Sequence, residues 1–183
     1  MNRPDPLTVT RRWLAEFVIA LDLCPFAGLP WREGKVRVVE SPVASIPALM
    51  QDFLREVEHL LLTPAADTET TLLVHPELLS DFDDYLDFLA TAEDLLEEAG
   101  AETVIQLAGF HPDYQFGDSG PHDPAHYTNR SPYPMVHLIR ADRLEQALEH
   151  HPDPAGIPQR NVALLRGLGE EEILRRLQAI QAG

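Results

Sequence analysis

Hydrophobic positions along the chain switch repeatedly between helical and strand spacing. Over 10–23, Leu14, Phe17, Val18 and Leu21 fall on one stripe and Pro25 blocks continuation, which predicts a first helix that ends by presenting Cys24. Residues 35–40 alternate and are rich in valine, the mark of a strand, and Ile46, Leu49, Met50, Phe53, Val57, Leu60 and Leu61 then return to helical spacing. A short β-branched run at 70–74 closes on His75-Pro76. Ser80 is placed to cap a helix buried through Phe82, Tyr85, Leu86, Leu89 and Leu96, with Gly100 to end it. Further strands are expected at 103–108 and 134–140. Asp142 with Glu145 offers a capping-box-like start to a short helix reaching His150-His151. Pro158 opens another, Gly167 and Gly169 break it, and Ile173, Leu174, Leu177 and Ile180 line a last one.

The order strand, helix, strand, helix, strand implies crossover connections. The expected fold class is therefore α/β: a small mainly parallel sheet of about four strands, three parallel and the fourth antiparallel, packed by helices. Residues 1–183 are read as one domain with a helical C-terminal extension from about 141. In such a sheet the carboxyl ends of the parallel strands share one edge, where ligands tend to bind. His75 ends the second strand and His111 follows the third, so both are expected there. An antiparallel fourth strand would bring Asn129, Arg130, Ser131 and Tyr133 to the same mouth, put His137 about mid-strand and send Arg140 toward the opposite end.

Charge narrows the partners. With 30 acidic against 14 basic residues and a formal net charge of -16, long-range attraction to nucleic acid or anionic membranes is not expected. No Lys or Arg occurs between Arg55 and Arg130, whereas 81–98 is densely acidic, the pattern of a solvated helix face. A small anionic molecule is the expected partner. The single cysteine excludes an internal disulfide and no apolar run reaches the roughly 18–20 residues of a membrane span, so a cytoplasmic setting is expected.

The chemistry concentrates in 110–137, where rigid prolines separate polar groups. His75, His111 and Asp113 suit either acid/base catalysis, by His111 or His75 oriented by Asp113 or Tyr114, or a divalent transition metal as cofactor, although no spacing identifies a metal. The alternative is that both histidines are backbone-bonded strand caps. Arg130 with Asn129 and Ser131 resembles an anion clamp, lined further by Tyr133, Tyr114 and His137; the competing reading pairs Arg130 with Asp113 or Asp123. Cys24 is a candidate nucleophile, but the end of a helix opposes a thiolate, so a small packed hydrophobe is the default. His122 and His126 are expected to be solvated. Gly117-Asp118-Ser119-Gly120-Pro121 looks like a serine-protease nucleophile motif on the wrong fold and reads as a turn.

Leu23-Cys24-Pro25-Phe26, Leu73-Val74-His75-Pro76, Phe110-His111-Pro112-Asp113-Tyr114-Gln115-Phe116 and Tyr127-Thr128-Asn129-Arg130-Ser131-Pro132-Tyr133-Pro134, with His137 and Arg140, resemble the uncharacterised bacterial family called domain of unknown function 1415. That resemblance spans nearly the whole chain and implies no activity or catalytic residue. The residues themselves support an enzyme, of hydrolase or transferase type, acting on a small anionic substrate. The alternatives are a non-catalytic metal, haem or metabolite-binding protein and, after that, an acidic interaction module.

Overall fold

The computed structural model describes residues 4–117 and 119–182, so Asp118 of the expected Gly-rich turn lies outside the described residues. Helix α1 (Pro6–Trp13) begins earlier than its apolar stripe suggests, because Asp5 accepts from the Thr8 amide at 2.9 Å and Pro6 supplies the first turn. It widens into a π-helical stretch, Leu14–Ile19, that buries Leu14, Phe17 and Val18. A short helix, α2 (Gly28–Arg32), follows, and then β1 (Val36–Glu40), α3 (Ile46–Leu62), β2 (Thr70–Val74), α4 (Phe82–Glu98), β3 (Ile105–Phe110) and β4 (Met135–Arg140).

The sheet order is β1-β2-β4-β3, with β1 and β2 parallel and β4 antiparallel to both of its neighbours. The sheet is therefore mixed, not mainly parallel. The chain returns from β3 through 111–134 to the edge where β2 also ends, and β4 descends between them instead of flanking them. Val74 and Phe110 both lie opposite Met135, which brings the two strand ends level.

Alternation along the strands sorts side chains onto two cores. Leu73, Ile105, Val136 and Leu138 meet α3 and α4 through Phe53, Leu60, Phe88 and Leu96. Leu72, Val74 and Met135 meet Trp13, Phe17 and Val18 on the opposite face, with Leu165, Ile173 and Ile180 of the C-terminal helices α6 (Ile157–Leu168) and α7 (Glu170–Ala182). Before these comes α5 (Ala141–His150), which has no buried residue at all.

Helix α4 is capped by Asp81 rather than Ser80, and it buries Tyr85, Phe88, Ala92 and Leu96 while Leu86 is exposed. Its Tyr85 hydroxyl donates to the Met135 carbonyl at 2.9 Å across Gly109, where an added Cβ would lie 2.6 Å from Oη and 3.0 Å from Leu89 Cδ2. Gly109→Ala is therefore expected to destabilise by about 1–3 kcal/mol. Tyr85→Phe should recover part of the loss in the double variant, and an additive pair in urea melts would show that the clash is elsewhere.

Candidate functional site

His75 and His111 do meet at the shared edge of β2 and β3, but on the α3/α4 face and inside protein. Both rings are fully buried. Tyr85 lies between them, 6.1 Å from the His75 centroid and 5.1 Å from that of His111, and Phe82 and Phe88 complete an aromatic shell. His111 has a fixed tautomer: Nε2–H donates to the Leu79 carbonyl at 2.9 Å and Nδ1 accepts from the Asp113 amide at 3.0 Å. Neither nitrogen is left for a substrate. Leu79 has a left-handed φ of 58°, so the His111 bond holds a strained turn after β2. His75 donates Nδ1–H to the Leu78 carbonyl at 3.3 Å, and its Nε2 is buried without a hydrogen bond. Burial lowers its pKa to about 4, against the opposing effect of the Leu78 bond, so it is neutral at pH 7.

The 111–134 loop is bound to itself and to the end of β3. Asn129 Nδ2 donates to the Gly109 carbonyl at 3.1 Å and Ser131 Oγ to the Tyr133 carbonyl at 2.6 Å. Arg130 Nε donates to the Tyr114 carbonyl at 3.0 Å, and the guanidinium lies 4.9 Å from the Tyr127 ring centroid. Asp113 is exposed and engages His111 through its backbone, while Asp123 pairs with Arg166 at 2.5 Å, not with Arg130. Tyr114 packs against Phe82 and Phe116, and its hydroxyl is pushed up by burial. His122 is exposed as expected, but His126 is not: it is fully buried, accepts from the Phe116 amide and donates to the Gly120 carbonyl at 2.7 Å. Backbone groups that a long loop leaves unpaired recruit these imidazoles, because buried amides and carbonyls must find partners.

The open space is on the other face. A cavity of about 770 Å³ lies over the sheet between α1, the 24–30 segment and α5, and none of His75, His111 or Arg130 lines it. Its floor includes Thr70, Leu72, Ala108, Phe110, His137 and Ile139. Trp13 stands edge-on to Phe110 at 5.3 Å, and Phe110 lies 5.9 Å from the His137 ring. Cys24 is on the wall. Two of the candidate residues, Cys24 and His137, thus line this cavity; the strand register puts His137, expected about mid-strand, opposite Leu72, on the face away from His75.

His137 Nε2 is 2.5 Å from Thr70 Oγ1, whose hydroxyl in turn donates to the Leu138 carbonyl at 2.8 Å. The hydroxyl proton being spent, the ring donates through Nε2–H and keeps Nδ1 as its acceptor. Burial lowers the His137 pKa to about 4, and burial likewise raises that of the Cys24 thiol. At the rim, Lys35 Nζ lies between Glu33 at 2.6 Å and Glu69 at 3.3 Å, while Arg143, Leu144, Gln146, Ala147 and His150 of α5 form the outer wall. That wall was missed in the sequence. Its signal is that Leu144, Ala147 and Leu148 give α5 too little apolar bulk to seat in a core.

Among the described residues no group of three or more His, Cys, Asp or Glu side chains is arranged to hold a metal ion. Nor, among them, is any helix long and apolar enough to cross a membrane. Comparison with known families matches residues 6–175 to a family described as Protein of unknown function (DUF1415). No curated protein and no solved structure matches.

Proposed function

We propose, from the premise that the chain belongs to the DUF1415 family, that it binds an apolar small molecule in the cavity over the sheet. The observation that carries this is the cavity itself: about 770 Å³ walled mainly by apolar and aromatic side chains, within the size range of small-molecule sites. Binding is favoured over catalysis by the state of its two reactive groups. A thiol whose pKa is raised is a poor nucleophile, and an imidazole with a pKa of about 4 is a weak base at pH 7. The histidines at the strand ends are engaged in support, His111 through both ring nitrogens and His75 by full burial.

A neutral fluorescent probe, N-phenyl-1-naphthylamine, tests this in the full chain. Its emission should rise on titration, and Ala108→Trp, which fills the floor from the half-buried edge strand β3, should weaken binding about tenfold or more. Cys24, the only thiol, is an independent reporter: saturating probe should slow its alkylation. Equal probe affinity in Ala108→Trp, together with unprotected Cys24, would sink the proposal.

A further inference from the structure

We infer that the ligand of this cavity is an apolar molecule ending in a single carboxylate, held by Arg143 and Gln146 of α5; the inference rests on the cavity being the binding site. Helix α5 has an amphipathic sequence but buries none of its residues. Its half-buried Leu144 and Ala147 line the cavity, and Arg143 and Gln146, one turn apart and exposed, line the same wall at the solvent rim. The helix thus presents an apolar strip inward with two polar groups directly above it.

Arg143 lies at the cavity rim without a close carboxylate partner. Arg12, Arg37, Arg160 and Arg166 each hold a carboxylate at 2.5–2.9 Å. The Arg143 ion pair, with Asp142, is 3.8 Å long, beyond hydrogen-bond reach. Its Nη1 donates to Gln146 Oε1 at 3.2 Å, which turns the amide so that its NH2 is left to donate. A guanidinium edge and an amide NH2 side by side match the two oxygens of a carboxylate. His150 spends Nδ1–H on the Gln146 carbonyl at 2.6 Å, which fixes the wall without adding a donor.

The acidic side chains at the rim limit the charge. Lys35 is shared between Glu33 and Glu69, so that cluster carries one negative charge in excess. A phosphate dianion would meet that repulsion twice over, and a neutral head would leave Arg143 unused.

Three ten-carbon ligands separate these cases by isothermal titration: decanoate, decyl phosphate and decanol, each below self-association. Decanoate should bind about tenfold tighter than decanol, the scale of a hydrogen bond to a charged group, and tighter than decyl phosphate. Arg143→Gln should remove the decanoate advantage while leaving decanol affinity unchanged, and Arg143→Lys should restore part of it. Equal binding of decanoate and decanol, tighter binding of the phosphate, or an indifferent Arg143→Gln would overturn the carboxylate assignment with the cavity reading intact. Failure of all three ligands to bind or to displace N-phenyl-1-naphthylamine would instead overturn the cavity reading.

Discussion

Arg140→Leu is expected to lower stability by about 3–5 kcal/mol, the scale of stranding several buried acceptors of charge-assisted bonds. Arg140 is 8% exposed at the end of β4. It donates Nε–H to the Thr68 carbonyl at 2.9 Å and Nη2–H to the Leu60 carbonyl at 2.6 Å and to that of Thr63. Leu60 and Thr63 are at the C-terminal end of α3, where free carbonyls and the helix dipole attract a cation. One side chain thus ties the start of α5 to the end of α3 and to the segment entering β2. Leucine fills the space but donates nothing. Thermal melts should show a drop on the order of 10 °C for a chain of this length, and Arg140→Lys, which can satisfy fewer carbonyls at once, should fall between. If the leucine variant melts with the wild type, the three bonds carry no net stability.

Acid should destabilise the protein well before its carboxylates titrate. In the unfolded chain His75 has an ordinary pKa of about 6.5, whereas in the fold burial beside Tyr85 and Phe88 holds it at about 4. Between those values the unfolded state binds more protons, so the contribution of His75 is complete above about pH 6.5 and is lost as pH falls toward 4. At about 1.4 kcal/mol per unit the loss is roughly 3 kcal/mol. His137 acts in the same direction. Asp123, lowered to about 2 by Arg166, and Glu172, lowered to about 2 by Arg175 and Arg176, lose their contributions only below the ordinary carboxylate range. Urea titrations from pH 7.5 to 4.5 should give a falling midpoint. His75→Phe should be less stable at neutral pH because it loses the Leu78 bond, yet flatter in its pH dependence by about one proton. An unchanged slope in that variant would contradict the assignment.

Periodicity made most elements legible. Thr70–Val74 matches its predicted bounds, β1 and β4 each begin one residue late, and only β3 is displaced by two residues, because 101–104 turn after α4 before pairing begins. Strand direction was also readable, since His75 and His111 do share an edge. What escaped was the slot taken by β4, because both an edge position and an inserted one satisfy the same alternation; only pairing with two neighbours distinguishes them. The candidate residues divide between two faces for a related reason. Sharing an edge is not sharing a face, and the parity of β2 already separates His75, in phase with Leu73, from Leu72, which faces the cavity with His137. The dense polar loop 110–137 drew attention as a binding surface, yet His111, His126 and Asn129 are occupied by backbone groups. A cavity, being the absence of packing between α1, α5 and the sheet, leaves no motif in a sequence.

The insertion of β4 also orders events in time. During synthesis β1 and β2 can pair as soon as both have emerged, but β3 has no partner in the sheet until Met135–Arg140 follows it. Until then its ladder groups and the open side of β2 are unpaired edges, the surfaces through which incomplete chains associate. The final strand is therefore a keystone: the ribosome must deliver about three quarters of the chain before the four-stranded sheet can close.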